Sequence, residues 1–292
     1  MKILLFGGTG FLGEKLAEHL QKKNLLYIYI NKRKSKFKYN IKEAKIKKIN
    51  YEYINKFVNY NKIDLLINLA SLTSVELCQK FKKKSFKVHV ELPKILSKIS
   101  KEQKIRIIHI STDHLFNGKQ SNSYKEISKP FPLNYYAKTK LLGEKEVKKS
   151  GNFTIIRTNF FGLNKRNKNS FSDRIVSALK NKKQIDLWSN VFFSPLHIEN
   201  LTYLINFLIK QKIKGIFNLS SQKISKYKLG LLIASQLELN KKLINKNLFD
   251  QKKFVKRPLN MSLCNKKILK YFPFLKNKLT LRSQLQILKK EY

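Results

Sequence analysis

The chain opens on MKILLFGGTGFLG, an apolar run that passes without a break into Gly7, Gly10 and Gly13. Residues 2–6 suit a parallel strand buried on both faces. From Phe11 to Lys23 the pattern turns helical, with Leu12, Leu16 and Leu20 along one stripe. The glycines therefore stand at a strand-to-helix joint. One permits a sharp turn, a second lets a pyrophosphate approach the backbone, and a third lets helix and strand pack closely. The helix N-terminus adds free N–H groups and a partial positive charge. Glycine triplets are common in turns, but in this setting one predicts a dinucleotide site built from Gly7, Thr9, Gly10, Phe11, Leu12 and Gly13.

The apolar runs LYIYI, IDLLINLA, IRIIHIS and FTIIRT alternate with helical or polar stretches. That alternation predicts an α/β fold, a doubly wound parallel sheet of Rossmann type. Residues 84–100 and 133–149 are expected as helices behind the sheet. Beyond Thr158 come a polar loop at 164–170, helices near 171–182, 198–211 and 225–239, a strand at 215–221 and a last helix from about residue 280. These pieces are expected to form a smaller C-terminal substrate-binding subdomain, mainly 158–292. The dinucleotide domain is expected over 1–157, with 191–221 returning to it.

The second strand runs out at Asn31, Lys32 and Arg33. An acidic residue here would hold the ribose 2′-hydroxyl of NAD. Two cations after an asparagine suit a 2′-phosphate instead, so NADPH is the expected cofactor and NADH the alternative.

Lys and Arg number 62 against 18 Asp and Glu, a net charge of +44. The lysines run through almost every segment beside abundant Asn and Ile, which marks a compositional bias with cations on solvated faces. No nucleic-acid partner is expected, though the field would help capture an anionic substrate. No apolar run reaches 18 residues, so no membrane span is expected, and the N-terminus is a core strand rather than a signal peptide. Cys78, Cys264 and five scattered histidines show no metal spacing. The two cysteines need no disulfide, which fits a cytoplasmic location.

The chemistry-bearing segment is YYAKTKLLGE. Tyr136 and Lys140 stand four apart, on one face of a helix. An ammonium beside a phenol favours the phenolate and brings it toward the working range of a proton donor. Tyr135 is a decoy, since four residues on it meets Thr139. The segment HISTDHLFNG adds Ser111, Thr112 and Asp113 at the end of a predicted strand, where a hydroxyl can hydrogen-bond a reacting carbonyl.

GGTGFLG, DLLINLASLTSVELC, ISTDHLFNG, PLNYYAKTKLLGE, IIRTNFFG, FFSPLHIENLTYLI, GIFNLSS and RPLNMSLCNKKI together resemble the extended short-chain dehydrogenase/reductases. Within them the chain is most similar to the dTDP-4-dehydrorhamnose reductases. The resemblance implies a catalytic set of Thr112, Tyr136 and Lys140, and a cofactor loop including Leu69, Ala70 and Ser71. It implies reduction of a nucleotide-linked 4-keto-6-deoxy sugar for polysaccharide synthesis, with Asp113, Asn159, Trp188 and Arg257 as substrate-binding candidates. A homodimer is compatible with it. A nucleotide-sugar epimerase or dehydratase, and a non-catalytic sugar-nucleotide-binding regulatory subunit, are the alternatives on the same fold. The chain departs from the pattern at Val88-His89 (commonly Val-Asn), at His114-Leu115 (Tyr-Val), at Ser189-Asn190 (Asp-Gln) and at Leu196 (Thr).

Overall fold

The computed structural model describes residues 1–30, 40–164, 166 and 169–292. In chain order the first elements are β1 (Lys2–Phe6), α1 (Phe11–Leu20), β2 (Leu25–Tyr29), β3 (Ile41–Glu43), α2 (Tyr51–Asn61), β4 (Leu65–Asn68), α3 (Val75–Lys80) and α4 (Lys82–Phe86). A π-helical turn at Lys87–Glu91 leads into α5 (Leu92–Glu102), followed by β5 (Arg106–Ile110), α6 (Tyr135–Lys148) and β6 (Phe153–Thr158). Then come β7 (Phe160–Phe161), α7 (Phe171–Lys180), β8 (Ile185–Trp188), β9 (Phe192–Phe193), β10 (Leu196–His197), α8 (Ile198–Lys210) and β11 (Gly215–Leu219). The chain finishes with β12 (Ile224–Ser225), α9 (Lys226–Gln236), β13 (Ile244–Asn247), α10 (Lys266–Tyr271) and α11 (Leu281–Glu291).

Seven strands form one parallel sheet in the order β11-β6-β5-β4-β1-β2-β3, flanked by helices. The expected Rossmann-type fold is the observed one. The strands are buried apolar runs because both faces are covered: Ile3, Leu4 and Leu5 in β1, and Leu66 and Ile67 in β4, are wholly inaccessible. Leu4, Phe6, Leu66, Ile107 and Ile155 share one core with Ile54 and Val58 of α2 and with Leu92, Leu96 and Ile99 of α5. Winding runs from β1 outward to β3, then returns through β4 on the other side. Neighbouring β1 and β4 thus form the switch point of the sheet, and ligands of such folds bind outside the carboxyl ends there.

The chain divides into two compact units. One holds Met1–Thr112, Asn134–Ile156 and Thr202–Ile216; the other holds Asp113–Leu133, Arg157–Leu201 and Phe217–Tyr292. These bounds differ from the expected 1–157 with 191–221. The stretch that rejoins the first unit begins inside α8, and residues 113–133 leave it. The physical reason is local pairing: Tyr124 N–H donates to the Ser262 carbonyl and Asn218 Nδ2 to the Tyr124 carbonyl, so that loop is anchored on C-terminal residues.

The second unit has its own core, with Phe161, Ile175, Leu187, Phe193, Leu229, Ile233 and Leu288 buried together. Three two-stranded pairings support it: β7 with β10, β9 with β12, and β8 with β13. Its last helix is held by Glu291, whose Oε2 accepts from Leu163 N–H at 2.9 Å and lies 3.1 Å from His197 Nε2. Among the described residues no helix is long and apolar enough to cross a membrane.

Candidate functional site

At the switch point Gly7 closes β1 with φ +81°, a left-handed conformation that disfavours any side chain. A Cβ there would stand 2.7 Å from the Ala70 nitrogen, so the turn after β1 lies directly on the loop after β4. Gly13, on α1, would place a Cβ 2.2 Å from the Gly7 carbonyl oxygen. Only hydrogen at both positions lets helix, turn and loop come this close. Gly10 caps α1 without a side-chain hydrogen bond, which suits a helix N-terminus whose partial positive charge takes an anion. Thr9 and Phe11 are half-buried at this turn, whereas Leu12 points into the core at 6% exposure.

The loop after β4 is set by Asn68. Its Oδ1 accepts from Ala70 N–H at 3.1 Å, and its Nδ2 donates to His109 Nδ1 at 3.2 Å. Leu69, Ala70 and Ser71 are half-buried beyond it. The second cofactor feature, Asn31, Lys32 and Arg33, lies outside the described residues.

The candidate catalytic residues sit in the same unit. Asn134 starts α6 by accepting from Ala137 N–H through Oδ1, which fixes the helix register. Tyr136 and Lys140 then fall on its buried face, at 8% and 2% exposure. Lys140 is the one lysine among the described residues that is buried, in a chain with 62 Lys and Arg. Its Nζ donates to the Ile110 carbonyl at 2.6 Å, two residues before Thr112. Burial pulls its pKa from 10.5 down to about 8, opposed by Glu144 and Cys78. Thr112 itself is buried. Ser111, beside it, keeps a buried hydroxyl oxygen with no hydrogen-bond partner, a group that calls for a ligand or water. Tyr135 is half-buried, with Lys82 Nζ 5.8 Å from its ring centre.

A glycine cradle, an uncapped helix N-terminus and an orphaned hydroxyl at a strand end are what a dinucleotide requires. The residues fit the group. Among the described residues no cluster of three or more His, Cys, Asp or Glu could hold a metal ion.

The substrate-binding candidates belong to the second unit and form two groups. Asn159 Nδ2 donates to Asp113 Oδ2 at 2.8 Å, with Asp113 itself fully buried. His114 Nε2 stands 4.0 Å from Asp113 Oδ1. Burial, with Lys226 and Arg257 adding repulsion, brings the pKa of His114 down to about 3, so the ring is neutral and this is no ion pair at working pH. Trp188 and Arg257 form the other group. The Arg257 guanidinium carbon lies 5.9 Å from the Trp188 ring centre and 5.2 Å from that of Phe249, and Lys226 Nζ is 4.7 Å from Trp188. Arg157 is instead buried in the same unit, donating to the Glu126 carbonyl.

A model of the RmlD substrate binding domain matches residues 1–289. The chain belongs to that family. Its members are NAD(P)-dependent oxidoreductases of the extended short-chain type. A probable low-salt glycan biosynthesis reductase of Haloferax volcanii is 27% identical over 55% of this chain and 55% of its own, so the match spans about half of that relative. The dTDP-4-dehydrorhamnose reductase of Aggregatibacter actinomycetemcomitans is 25% identical over 93% of each chain. A hypothetical dTDP-4-dehydrorhamnose reductase from Sulfolobus tokodaii superposes with a TM-score of 0.81 at 26% identity, over 92% of this chain and 94% of that one.

Two features escaped the sequence. One is the pairing of Asp113 with Asn159, 46 residues apart, which no spacing reveals. The other is the hydrogen bonding of His89, marked in the sequence by the departure at Val88-His89 and by a proline four residues on, neither of which names its partners.

Proposed function

We propose that this chain reduces the 4-keto group of a nucleotide-linked 6-deoxy sugar at the expense of NADPH. We take dTDP-4-dehydrorhamnose as the substrate and dTDP-L-rhamnose, for a surface polysaccharide, as the product, made in the cytoplasm. The observation that carries the proposal is Lys140. A buried cation on the face of α6 that carries Tyr136 reaches the end of the strand that delivers Thr112. Burying a charge is costly even beside a buried carboxylate such as Glu144, and a buried, pKa-shifted cation at a strand end is a functional-site candidate.

The cofactor, when bound, supplies the hydride that adds to the sugar C4. The N-terminus of α1 and the turn Gly7–Gly13 hold its pyrophosphate, and Leu69–Ser71 border its ribose. Asn31, Lys32 and Arg33 favour the 2′-phosphate. Tyr136 gives its hydroxyl proton to the carbonyl oxygen as charge develops there. The Lys140 ammonium, one turn on, stabilises the phenolate left behind and binds the ribose hydroxyls. Thr112 donates a hydrogen bond to the same oxygen. Arg257, beside Trp188 and Phe249, offers the diphosphate a cation, and Asp113 with Asn159 offers hydrogen bonds to the sugar.

The test is a panel of nucleotide 4-keto sugars followed by NADPH absorbance with purified protein. Stoichiometric NADPH oxidation with the dTDP-linked 4-keto-6-deoxy sugar is the expected result. Oxidation with a different nucleotide sugar alone would keep the reaction and discard rhamnose. Conversion without net NADPH consumption would make the chain an epimerase.

A further inference from the structure

His89 lies on the π-helical turn, and the sequence explains the turn. Pro93 has no N–H, so the His89 carbonyl four residues earlier loses its α-helical donor. The helix widens instead, with Leu92 N–H donating to the Lys87 carbonyl in an i→i−5 bond. The freed His89 carbonyl presses on α6 at Gly143, where a Cβ would stand 2.1 Å from it. The histidine backbone is thereby seated against the helix that carries Tyr136 and Lys140.

The side chain makes contacts on both sides. Leu72 N–H donates to Nε2 at 3.0 Å. A backbone N–H can only donate, so Nε2 is the acceptor and the proton of the neutral ring sits on Nδ1. Nδ1 lies 2.9 Å from Thr139 Oγ1 and 3.2 Å from Ser85 Oγ. Thr139 in turn donates to the carbonyls of Tyr135 at 2.9 Å and Tyr136 at 3.0 Å, which leaves its oxygen free to accept from Nδ1–H. The bonds therefore run in one direction, from the Leu72 amide through the imidazole and the Thr139 hydroxyl to the backbone of Tyr136. Leu72 is held from its other side as well, its carbonyl accepting from Cys78 Sγ at 3.1 Å. The His89 ring also meets that of Tyr136 edge-on at 5.6 Å.

We infer that His89 is a positioning residue, an imidazole strap that ties the ribose-side loop ending at Leu72 to the catalytic helix at Thr139. It sets the distance between the cofactor loop and the tyrosine. Burial and the charge of Lys140 hold the ring's pKa down at about 3, so the strap keeps one tautomer throughout the working range. The role rests on the proposed dinucleotide site but is independent of which sugar is reduced.

Asparagine places its amide where Nδ1 stands and keeps the Thr139 side alone. Glutamine places its oxygen where Nε2 stands and keeps the Leu72 side alone. NADPH titration by fluorescence of wild type, His89→Ala, His89→Asn and His89→Gln separates the two. Losing the Leu72 tie in the Ala and Asn variants is expected to weaken NADPH binding about tenfold, while Gln returns it to within about twofold of wild type, the scale of one hydrogen bond. Nitrogen NMR of the histidine-labelled protein is expected to show His89 protonated on Nδ1 and unchanged from about pH 5 to 8. Wild-type affinity in all three variants, equal weakening in all three, or a proton on Nε2 would overturn the role. A wild type that binds no NADPH would instead overturn the proposed function, and the strap's purpose with it.

Discussion

Tyr136 and Lys140 are the proposed catalytic pair, and each yields a prediction of its own. Tyr136→Phe is expected to leave NADPH binding intact and lower kcat by roughly 10²–10⁴, the range for a lost proton transfer. Tyr135→Phe, next to it and only half-buried, should stay near wild type; equal losses in the two would misassign the donor. For Lys140 the direction follows from its lowered pKa of about 8. The cation is present below that value, so kcat is expected to fall as pH climbs past about 8. Stability moves the opposite way. The unfolded chain binds the proton more tightly between about pH 8 and 10.5, so the Lys140 contribution to unfolding free energy rises across that window. Denaturant midpoints of wild type and Lys140→Met should therefore converge as pH is raised from 7 to 10.5, with the Met variant the more stable at the lower end.

At the scale of elements, two close approaches fix the site. Gly13 lets α1 meet the turn after β1, and Gly143 lets α6 meet the π turn. In both cases the obstructing atom is backbone, which cannot swing aside. Gly13→Ala and Gly143→Ala are each expected to cost about 1–3 kcal/mol of stability, as overpacking does. The two differ in readout. Gly13→Ala should abolish NADPH binding, because it deforms the glycine turn proposed to hold the pyrophosphate. Gly143→Ala should fall mainly on kcat, because it displaces α6 from the His89 carbonyl. Thermal melts with NADPH titrations check both, and an unchanged Tm for either would contradict the packing. By contrast Gly151, at φ +71° with open space around its Cβ position, should cost only the backbone strain of about 1–2 kcal/mol.

At the scale of the whole molecule, the net charge of +44 is the dominant field. Apart from Lys140 and the buried arginines 157 and 257, its cations lie at least partly in solvent among the described residues. Like charges so placed repel one another and destabilise the compact state. Raising salt from about 0.05 to 0.5 M shortens the screening length from roughly 14 to 4 Å and is expected to raise Tm. Over the same range the preference for NADPH over NADH should shrink, since the proposed 2′-phosphate recognition rests on the cations Lys32 and Arg33. Equal affinities at low salt would remove the NADPH assignment, and a preference insensitive to salt would move its origin away from exposed cations.

The alternating apolar runs and the glycines at the first strand–helix joint determined the parallel sheet and its tight glycine turn, because both follow from local periodicity and from the absence of a Cβ. The four-residue spacing likewise put Tyr136 and Lys140 on one helix face, since helical geometry repeats every 3.6 residues. The π turn was already implied by Pro93, though the helix expected over 84–100 took no account of it. What only the tertiary structure decided is which of many equivalent side chains meet. The sequence offers dozens of lysines, and burial singles out Lys140. It offers five histidines, and His89 joins Leu72 to Thr139 across gaps of 17 and 50 residues. Asp113 meets Asn159, and the segment 113–133 joins the C-terminal unit rather than the sheet. Hydrogen bonds of this length in sequence leave no periodic trace, because each depends on where two elements are carried by the fold rather than on their own composition.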